Sequence, residues 1–450
     1  MKKTKNFYLY REKHLDCIDL MVSLKSHSLW NIIGTGLPML VGLVSIPILI
    51  KAIGVEAFGL LTLIWTLIGY FSLFDFGLGR ALTQQISRAR DLNRDQLTQL
   101  AASGLFATLV LGIIGGLVLY FASRLMIFHF LNISNEIQAD ALMAMQLAAL
   151  AIPLVTLTSA YRGILEGFED FKMSNIWRLL LGMLNFVLPV IIVLVYRANI
   201  IPVVWSLIVS RLLVMLLHTI TIRKHLKHIH NRLNISYSLL RRLFNFGFWM
   251  TLSNIIGPLM VVADRFFISA FIGVNIVAYY TVPQDFVLRL LILPAAISSA
   301  LFPRLAYLHA SKDDTTTVRL MTKSLRTIAL FMGFVSLSLA LGSKIGLSLW
   351  LGEDFAAEAW PVLSILSVGI FFNSMAHVPF AALQAVGKVR TTSLIHIFEA
   401  MIYFPVLLLL LHLYGIIGVA IAWSLRTFAD FIILQYFVQQ NNKSYAVVSK

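Results

Sequence analysis

The run QLAASGLFATLVLGIIGGLVLYF, residues 99–121, decides the fold. It places 23 consecutive residues without a Lys, Arg, His, Asp or Glu. As a helix rising about 1.5 Å per residue, such a run is long enough to cross the roughly 30 Å hydrocarbon core of a bilayer. It shows no strict alternation of polar and apolar residues, which a membrane β-strand of about 10 residues would need. Eleven further segments read the same way: 28–50, 57–79, 141–161, 174–196, 200–221, 246–270, 275–300, 326–348, 357–383, 391–413 and 415–438. Little chain remains for an extramembrane domain.

Composition agrees. Of 450 residues, 59% are hydrophobic and only 13% charged, about half the charged share of a soluble protein. The 36 Lys and Arg with 21 Asp and Glu cannot coat the surface of a soluble chain this long. Aromatic residues at 12%, with 12 Pro and 26 Gly, exclude disorder and fibrous repeats. The single cysteine, Cys17, removes intramolecular disulfides and reads as a free cytoplasmic thiol.

Orientation follows from the basic residues. With twelve spans, four Lys and Arg fall in the loops of one side (Lys51, Arg124, Arg197 and Lys344) and 27 on the other. Positive residues stay cytoplasmic, so both termini are expected inside. The net charge of +15 is therefore mostly topology and does not indicate nucleic-acid binding. His225, His228 and His230 sit in a Lys/Arg-rich cytoplasmic stretch and read as a solvated basic segment near anionic lipid, with no metal site expected.

The chain repeats itself. Trp205-Ser206-Leu207 recurs as Trp423-Ser424-Leu425, and LEGFEDFKMS (165–174) parallels LQAVGKVRTT (383–392), both at an offset of 218. Ile53-Gly54-Val55 recurs as Ile272-Gly273-Val274 at an offset of 219. A repeat of six helices keeps both copies in the same orientation. The expected architecture is an all-α polytopic membrane protein, with 12 transmembrane helices in two like-oriented six-helix lobes around a central cleft. Its parts are a basic cytoplasmic N-terminal extension (1–27), an N-lobe (28–221), a basic inter-lobe linker (222–245), a C-lobe (246–438) and a cytoplasmic tail (439–450).

Ionisable residues inside a bilayer cost roughly 2.5–3.5 kcal/mol each on insertion scales, so those retained mark candidate sites. Five Arg fall within spans: Arg178, Arg211, Arg265, Arg289 and Arg426. Five acids do too: Asp75, Asp264, Asp285, Glu399 and Asp430. Arg211, Arg289 and Arg426 come out near mid-membrane, while Arg178 is close enough to the cytoplasmic edge to snorkel. Asp285 with Arg289, and Arg426 with Asp430, are four apart and could pair along their own helices. Arg211 has no acid within four residues, so its partner is on another helix or is a ligand. The planar guanidinium fork suits phosphate oxygens, so the arginines are expected to line the cleft and bind substrate.

Asp264 and Arg265 are neighbours, so one is expected to face the cleft and the other a neighbouring helix. His396 and Glu399 share a face of helix 11 and have no ionisable counterpart pair in the other lobe. They are candidates for ion coupling, with Asp264 and Asp75. Asp75 otherwise reads as a polar residue at a helix end facing water. Pro38, Pro47 and Pro258, beside Gly34, Gly36, Gly42 and Gly257, are expected to bend the first helix of each lobe and to serve as gate elements. Gly387-Lys388 lacks the preceding spaced Gly of a phosphate loop, so an ATP-driven mechanism within this chain is not expected.

At this point a resemblance enters, carried by NIIGTGLPMLVGLVSIPILIKAIGVEAFGLLTLIWTLIGYFSLFDFGLGRALTQQISRAR (31–90), by Ala263-Asp264-Arg265 leading into Ile272-Gly273-Val274, by Leu383-Gln384-Ala385 with Gly387-Lys388, and by Gly415-Ile416-Ile417-Gly418-Val419-Ala420. The chain resembles the oligosaccharide flippases, the Wzx-like polysaccharide transporters of the multidrug/oligosaccharidyl-lipid/polysaccharide exporter superfamily. The resemblance implies movement of undecaprenyl-diphosphate-linked oligosaccharides across a bacterial inner membrane by alternating access of two lobes, without enzymatic chemistry. It implies no cofactor; a proton or sodium gradient is a candidate driving force. The expected partners are the lipid-linked oligosaccharide, membrane lipids and polysaccharide polymerase or chain-length machinery, with the chain acting as a monomer. The alternatives are a cation-coupled small-molecule exporter of the same superfamily and a membrane-embedded transferase. The transferase is disfavoured because the longest outer loop, 122–140, carries only Arg124, Glu136, Asp140 and one His.

The topology is directly testable. Reporter fusions after Leu131 and after Arg232 are expected to report opposite sides of the membrane, and the same side for both would overturn the twelve-span reading.

Overall fold

Long apolar runs leave the backbone one way to satisfy its polar groups in lipid, which is to bond within each segment. The computed structural model describes residues 37–38, 40–71, 78–88, 94–168, 170–196, 198–226, 259–310 and 313–448. All regular structure among them is helical. In chain order the helices are α1 (Leu40–Ile53), α2 (Val55–Phe71), α3 (Leu78–Arg88), α4 (Arg94–Leu125), α5 (Gln138–Gly167), α6 (Phe171–Val195), α7 (Ile200–His225), α8 (259–271), α9 (Val274–Arg289), α10 (Ile292–Ala310), α11 (Asp314–Leu351), α12 (Glu353–Ala385) and α13 (Val389–Val448).

Among the described residues, eight helices are long and apolar enough to cross a membrane. One of them, 390–440, holds two of the expected spans. Gly415 adopts a φ of 60° there, and the chain reverses, so that Gly418 packs on the backbone carbonyl of Leu410. With α1, α2 and α8, shorter or only partly described, each of the twelve expected segments has a helical counterpart.

The described part of α2 runs to Phe71, and residues 78–88 form the amphipathic helix α3, which buries Leu78, Ala81, Leu82 and Ile86 at helical spacing. One boundary differs from the sequence reading. The span expected at 275–300 breaks at Leu290–Leu291, where the amides of Leu290 and Leu291 turn back to Val287 and Leu288. Pro294 lies in the first turn of α10, where a missing N–H is harmless.

The chain divides into two compact units, and the division does not follow chain halves. Unit 1 holds 1–53, 67–123 and 142–251; unit 2 holds 54–66, 124–141 and 252–450. In unit 1, α3, α4, α5 and α7 meet in a core that includes Leu82, Ile86, Ala101, Tyr161, Ile164 and Ile222. Small residues set the approach of these helices. A methyl group at Gly163 would fall on the backbone carbonyl of Gly79, and one at Gly112 on Pro153 and Thr156. The Thr83 hydroxyl lies between the two glycines, 3.0 Å from the Gly163 carbonyl and 3.1 Å from that of Gly79.

Unit 2 incorporates two pieces of the first half of the chain. Gly59 of α2 packs on the carbonyl of Val274. Asn132 extends a backbone ladder to the α8–α9 link: its N–H donates to Ser269 (3.0 Å), its side-chain amide to Ile272 (3.2 Å), and its carbonyl accepts from Val274 (2.9 Å). Glu56 accepts from both the backbone N–H and the hydroxyl of Ser134. The repeated Ile-Gly-Val anchors now have a structural reason. Gly54 (φ 83°) and Gly273 (φ 150°) both adopt a backbone that L side chains disfavour, immediately before α2 and α9.

Gly163→Ala is expected to destabilise the purified protein by about 1–3 kcal/mol through overpacking against the Gly79 backbone. Gly342→Ala, where no atom lies within 4 Å, is expected to leave thermal unfolding unchanged. Equal melting of the two variants would refute the close-packing account.

Candidate functional site

In unit 2, the reversal of α13 at Gly415 lays residues 391–406 beside 422–437 and encloses a cavity of about 650 Å³. Its walls are almost entirely apolar, with Phe398, Ile402 and Leu425 among them; Glu399, Tyr403, Arg426 and Thr391 are its polar lining. Arg426 lines this cavity, which lies within α13 of unit 2. It does not form the expected pair with Asp430. Its guanidinium lies over the Tyr403 ring, 5.4 Å from the centroid, with one Nη1 3.7 Å from Met260 Sδ and its Nε without a partner. Asp430 turns instead toward the first arm of α13, where the ligand atoms of His396, Glu399 and Asp430 all lie within 4.8 Å of one another. Four-residue spacing made an intrahelical pair possible, but chain reversal offered Asp430 another neighbour.

The second ionisable group of unit 2 joins α8 and α9. Asp264 accepts from the Tyr280 hydroxyl (2.6 Å) and the Gln284 side-chain amide (2.8 Å). Arg265 donates through Nε and Nη2 to Gln284 Oε1, through Nη2 to Asp285, and through Nη1 to Thr66 (3.1 Å). One expectation is corrected. Adjacent Asp264 and Arg265 do not turn to opposite environments, because the bifunctional amide of Gln284 reaches both. Asp285 forms an ion pair with Arg265 across the interface, and it also lies within electrostatic range of Arg289 one turn along its own helix. Arg289 lies at the last turn of α9, beside the break before α10.

In unit 1, Arg211 of α7 is 7% exposed. Its Nη1 donates to Asn185 Oδ1 on α6 (3.2 Å) and to the Leu207 carbonyl one turn back (2.9 Å), and its Nε has no partner. The expected partner on another helix exists, and it is neutral. Arg178 of α6 donates to Asn175 Oδ1 (2.6 Å) one turn earlier. Nearby, Trp177 Nε1 donates to Thr221 and its ring lies against His218.

Pro47 lies within α1, and the ring of Pro38 packs where a methyl at Gly182 would be. Asp75, Pro258, His228 and His230 lie outside the described residues. Sequence reasoning missed Asn185, Tyr280, Gln284 and Tyr403. A signal existed for three of them: Tyr280 and Gln284, and Glu399 and Tyr403, are four apart and share a helix face. Asn185 had none, because an amide in an apolar run is identified only by what faces it.

Comparison with known proteins agrees with this architecture. The model of the family described as "Polysaccharide biosynthesis protein" matches residues 24–309, and the MatE family model matches 250–409. The chain is 35% identical over 415 residues to the "Putative O-antigen transporter" of Shigella flexneri, covering 92% of this chain and 97% of that one. It is 24% identical over 413 residues to the lipopolysaccharide biosynthesis protein WzxC of Escherichia coli K12, covering 91% and 79%. Among solved structures, an inward-facing multidrug resistance MATE transporter of the MOP superfamily superposes with a TM-score of 0.75 at 16% identity, covering 93% of this chain and 99% of the other. The lipid II flippase MurJ in an inward closed conformation superposes with a TM-score of 0.72 at 16% identity, covering 93% and 90%. Those likenesses show that the chain shares the fold of these transporters. A family model spanning well over half the chain, with a relative 35% identical across nearly all of both sequences, shows that the chain belongs to the polysaccharide biosynthesis protein family, the Wzx-like multi-pass membrane proteins whose motifs its sequence carries.

Proposed function

We propose that this protein is a flippase that carries undecaprenyl-diphosphate-linked oligosaccharide units, of O-antigen, capsule or exopolysaccharide, across a bacterial inner membrane. In this reading both termini are cytoplasmic and the chain works as a monomer. Transport proceeds by alternating access of two like-oriented six-helix lobes, 28–221 and 246–438, bent at Pro38, Pro47 and Pro258. Polymerase and chain-length machinery would meet the product on the outer leaflet.

The observation that carries the reading is Arg211. A guanidinium buried in a membrane helix is costly unless something answers its charge. Among the described residues its partners are an amide and a backbone carbonyl, with no acid near it. A diphosphate supplies the missing negative charge and fits the planar fork. The apolar cavity of unit 2, with Arg426 in its wall, suits a substrate that joins an anionic head to a lipid. The names of the relatives, an O-antigen transporter and a lipid II flippase, point to the same substrate class. A small-molecule exporter shares this fold, and the neutral partners of both arginines favour an anion over the cations expected of an acidic drug-binding cavity.

The test is complementation of a cell lacking its own flippase. Arg211→Ala is expected to reduce surface polysaccharide at least about tenfold, in line with the roughly 1.5–3 kcal/mol of a hydrogen bond to a charged group, while membrane insertion and protein level stay unchanged. Arg211→Lys is expected to restore export only in part, because an ammonium keeps the charge without the fork. Normal export by Arg211→Ala would overturn the assignment.

A further inference from the structure

The cluster behind the unit 2 cavity has a charge count that its own groups do not close. Glu399, 8% exposed, and Asp430 bring two carboxyl groups together, with the His396 ring as third member. Glu399 Oε1, Asp430 Oδ1 and His396 Nε2 are buried without hydrogen-bond partners. Arg426, one turn from Asp430, is the nearby fixed cation, and it is held by a thioether and an aromatic ring. With both carboxyls ionised the group carries one net negative charge in a nearly anhydrous setting.

The other elements packed here do not cancel it. From α12, His377 lies within electrostatic range of Asp430, and Phe380 stacks on His396, 5.7 Å between centroids. From the same arm of α13, Tyr403 presents a hydroxyl without a partner. From α8, Asp264 acts on Tyr403 and adds negative charge, although its own oxygens are engaged by Tyr280 and Gln284. A proton closes the count. It would bond to one carboxylate oxygen and be shared with the other carboxylate or with His396 Nε2, giving two of the three orphaned atoms a partner. Sodium and calcium prefer an all-oxygen shell, which an imidazole does not offer. A divalent metal would sit beside the Arg426 guanidinium, which repels it.

We propose that His396, Glu399 and Asp430 form a proton-binding site, and that its occupation removes the local negative charge opposing an anionic lipid head group at Arg426 in the adjoining cavity. Glu399 and Arg426 line that same cavity, so proton uptake and anion binding are positively linked: each strengthens the other by the same factor. The linkage rests on the proposed lipid-linked anionic substrate. The proton site itself does not.

The experiment uses the full chain in lipid nanodiscs and has two readouts. Infrared difference spectroscopy between about pH 5 and pH 9, the range in which buried carboxyls titrate, is expected to show a protonated-carboxyl band that weakens in both Glu399→Gln and Asp430→Asn. A band unchanged in both variants overturns the proton site. The second readout is binding of farnesyl diphosphate at low and high pH. At high pH the double variant Glu399→Gln/Asp430→Asn, which keeps no carboxylate in the cluster, is expected to bind about tenfold more tightly than the native protein, the effect of removing a nearby like charge at intermediate dielectric. At low pH the two should converge; the slope left in the double variant measures titration of the probe and of His396. Parallel pH profiles overturn the linkage. Failure of the native protein to bind the probe at either pH overturns the anionic reading of the cavity and the linkage with it, while the infrared band still decides the proton site.

Discussion

A charge placed where no water can reach it must be answered by the protein itself, and the interior of this molecule is organised by that requirement. The α8–α9 interface shows the full answer. Arg265 has donors bonded to Gln284, Asp285 and Thr66, and Asp264 accepts from Tyr280 and Gln284. The amide of Gln284 can serve both neighbours only in one orientation, Oε1 toward the guanidinium and Nε2 toward the carboxylate. Each member thereby fixes the next. Loss of one partner would leave a buried ion uncompensated, a defect of roughly 3–5 kcal/mol. Thr66 ties α2 into this interface, which is one reason a segment from the first half of the chain belongs to unit 2.

Such networks need helices that approach closely, and lipid supplies no hydrophobic force to press them together. Close approach comes from missing side chains. Gly59 meets the Val274 carbonyl, Gly163 meets Gly79, and Gly418 meets Leu410 across the reversal of α13. Glycine at Gly54 and Gly273 does a second job, allowing the turn that starts α2 and α9. The Ile-Gly-Val repeat therefore preserves a backbone conformation, whereas the Trp-Ser-Leu copies differ: Trp423 is fully buried against Gly369 and the Ser424 hydroxyl reaches the Ile365 carbonyl, while Trp205 is exposed.

Spans and their number were legible because the signal for a membrane helix is additive over 20 residues, and single misreadings do not change it. Breaks were less legible. Nothing between Asp285 and Ala295 spells a stop except Pro294, and proline is tolerated in membrane helices. The α3 helix was hidden because an amphipathic stretch after a span resembles a basic loop in composition. Candidate ionisable residues could be named one by one, since each stands out against apolar neighbours. Their partners could not. Local spacing suggested Asp285 with Arg289 and Arg426 with Asp430; Asp285 also pairs with Arg265, 20 residues away, and Asp430 turns to His396 and Glu399, more than 30 away. A four-residue spacing gives two side chains the opportunity to meet. Packing decides whether a better neighbour exists, and packing between helices is the part of the fold that hydropathy does not encode.

Arg265, Arg211 and the half-buried Arg426 differ in a way that separates structure from binding. Arg265 faces a carboxylate, and its charge is spent within the protein. Arg211 faces an amide and a carbonyl, and Arg426 a thioether and a phenol ring. Neutral partners of this kind orient a guanidinium without neutralising it. An anion that displaced a carboxylate would have to overcome a strong ion pair, and much of its own interaction energy would be lost in the exchange. An anion meeting Arg211, or Arg426 once the neighbouring Glu399–Asp430 cluster holds a proton, displaces only weak contacts, and gains nearly the whole attraction in a medium of low dielectric. For a carrier that must also release its load, the same weakness is useful. When the ligand leaves, Asn185 or Tyr403 is already in place to receive the cation, so neither the bound nor the empty state strands a naked charge in the membrane.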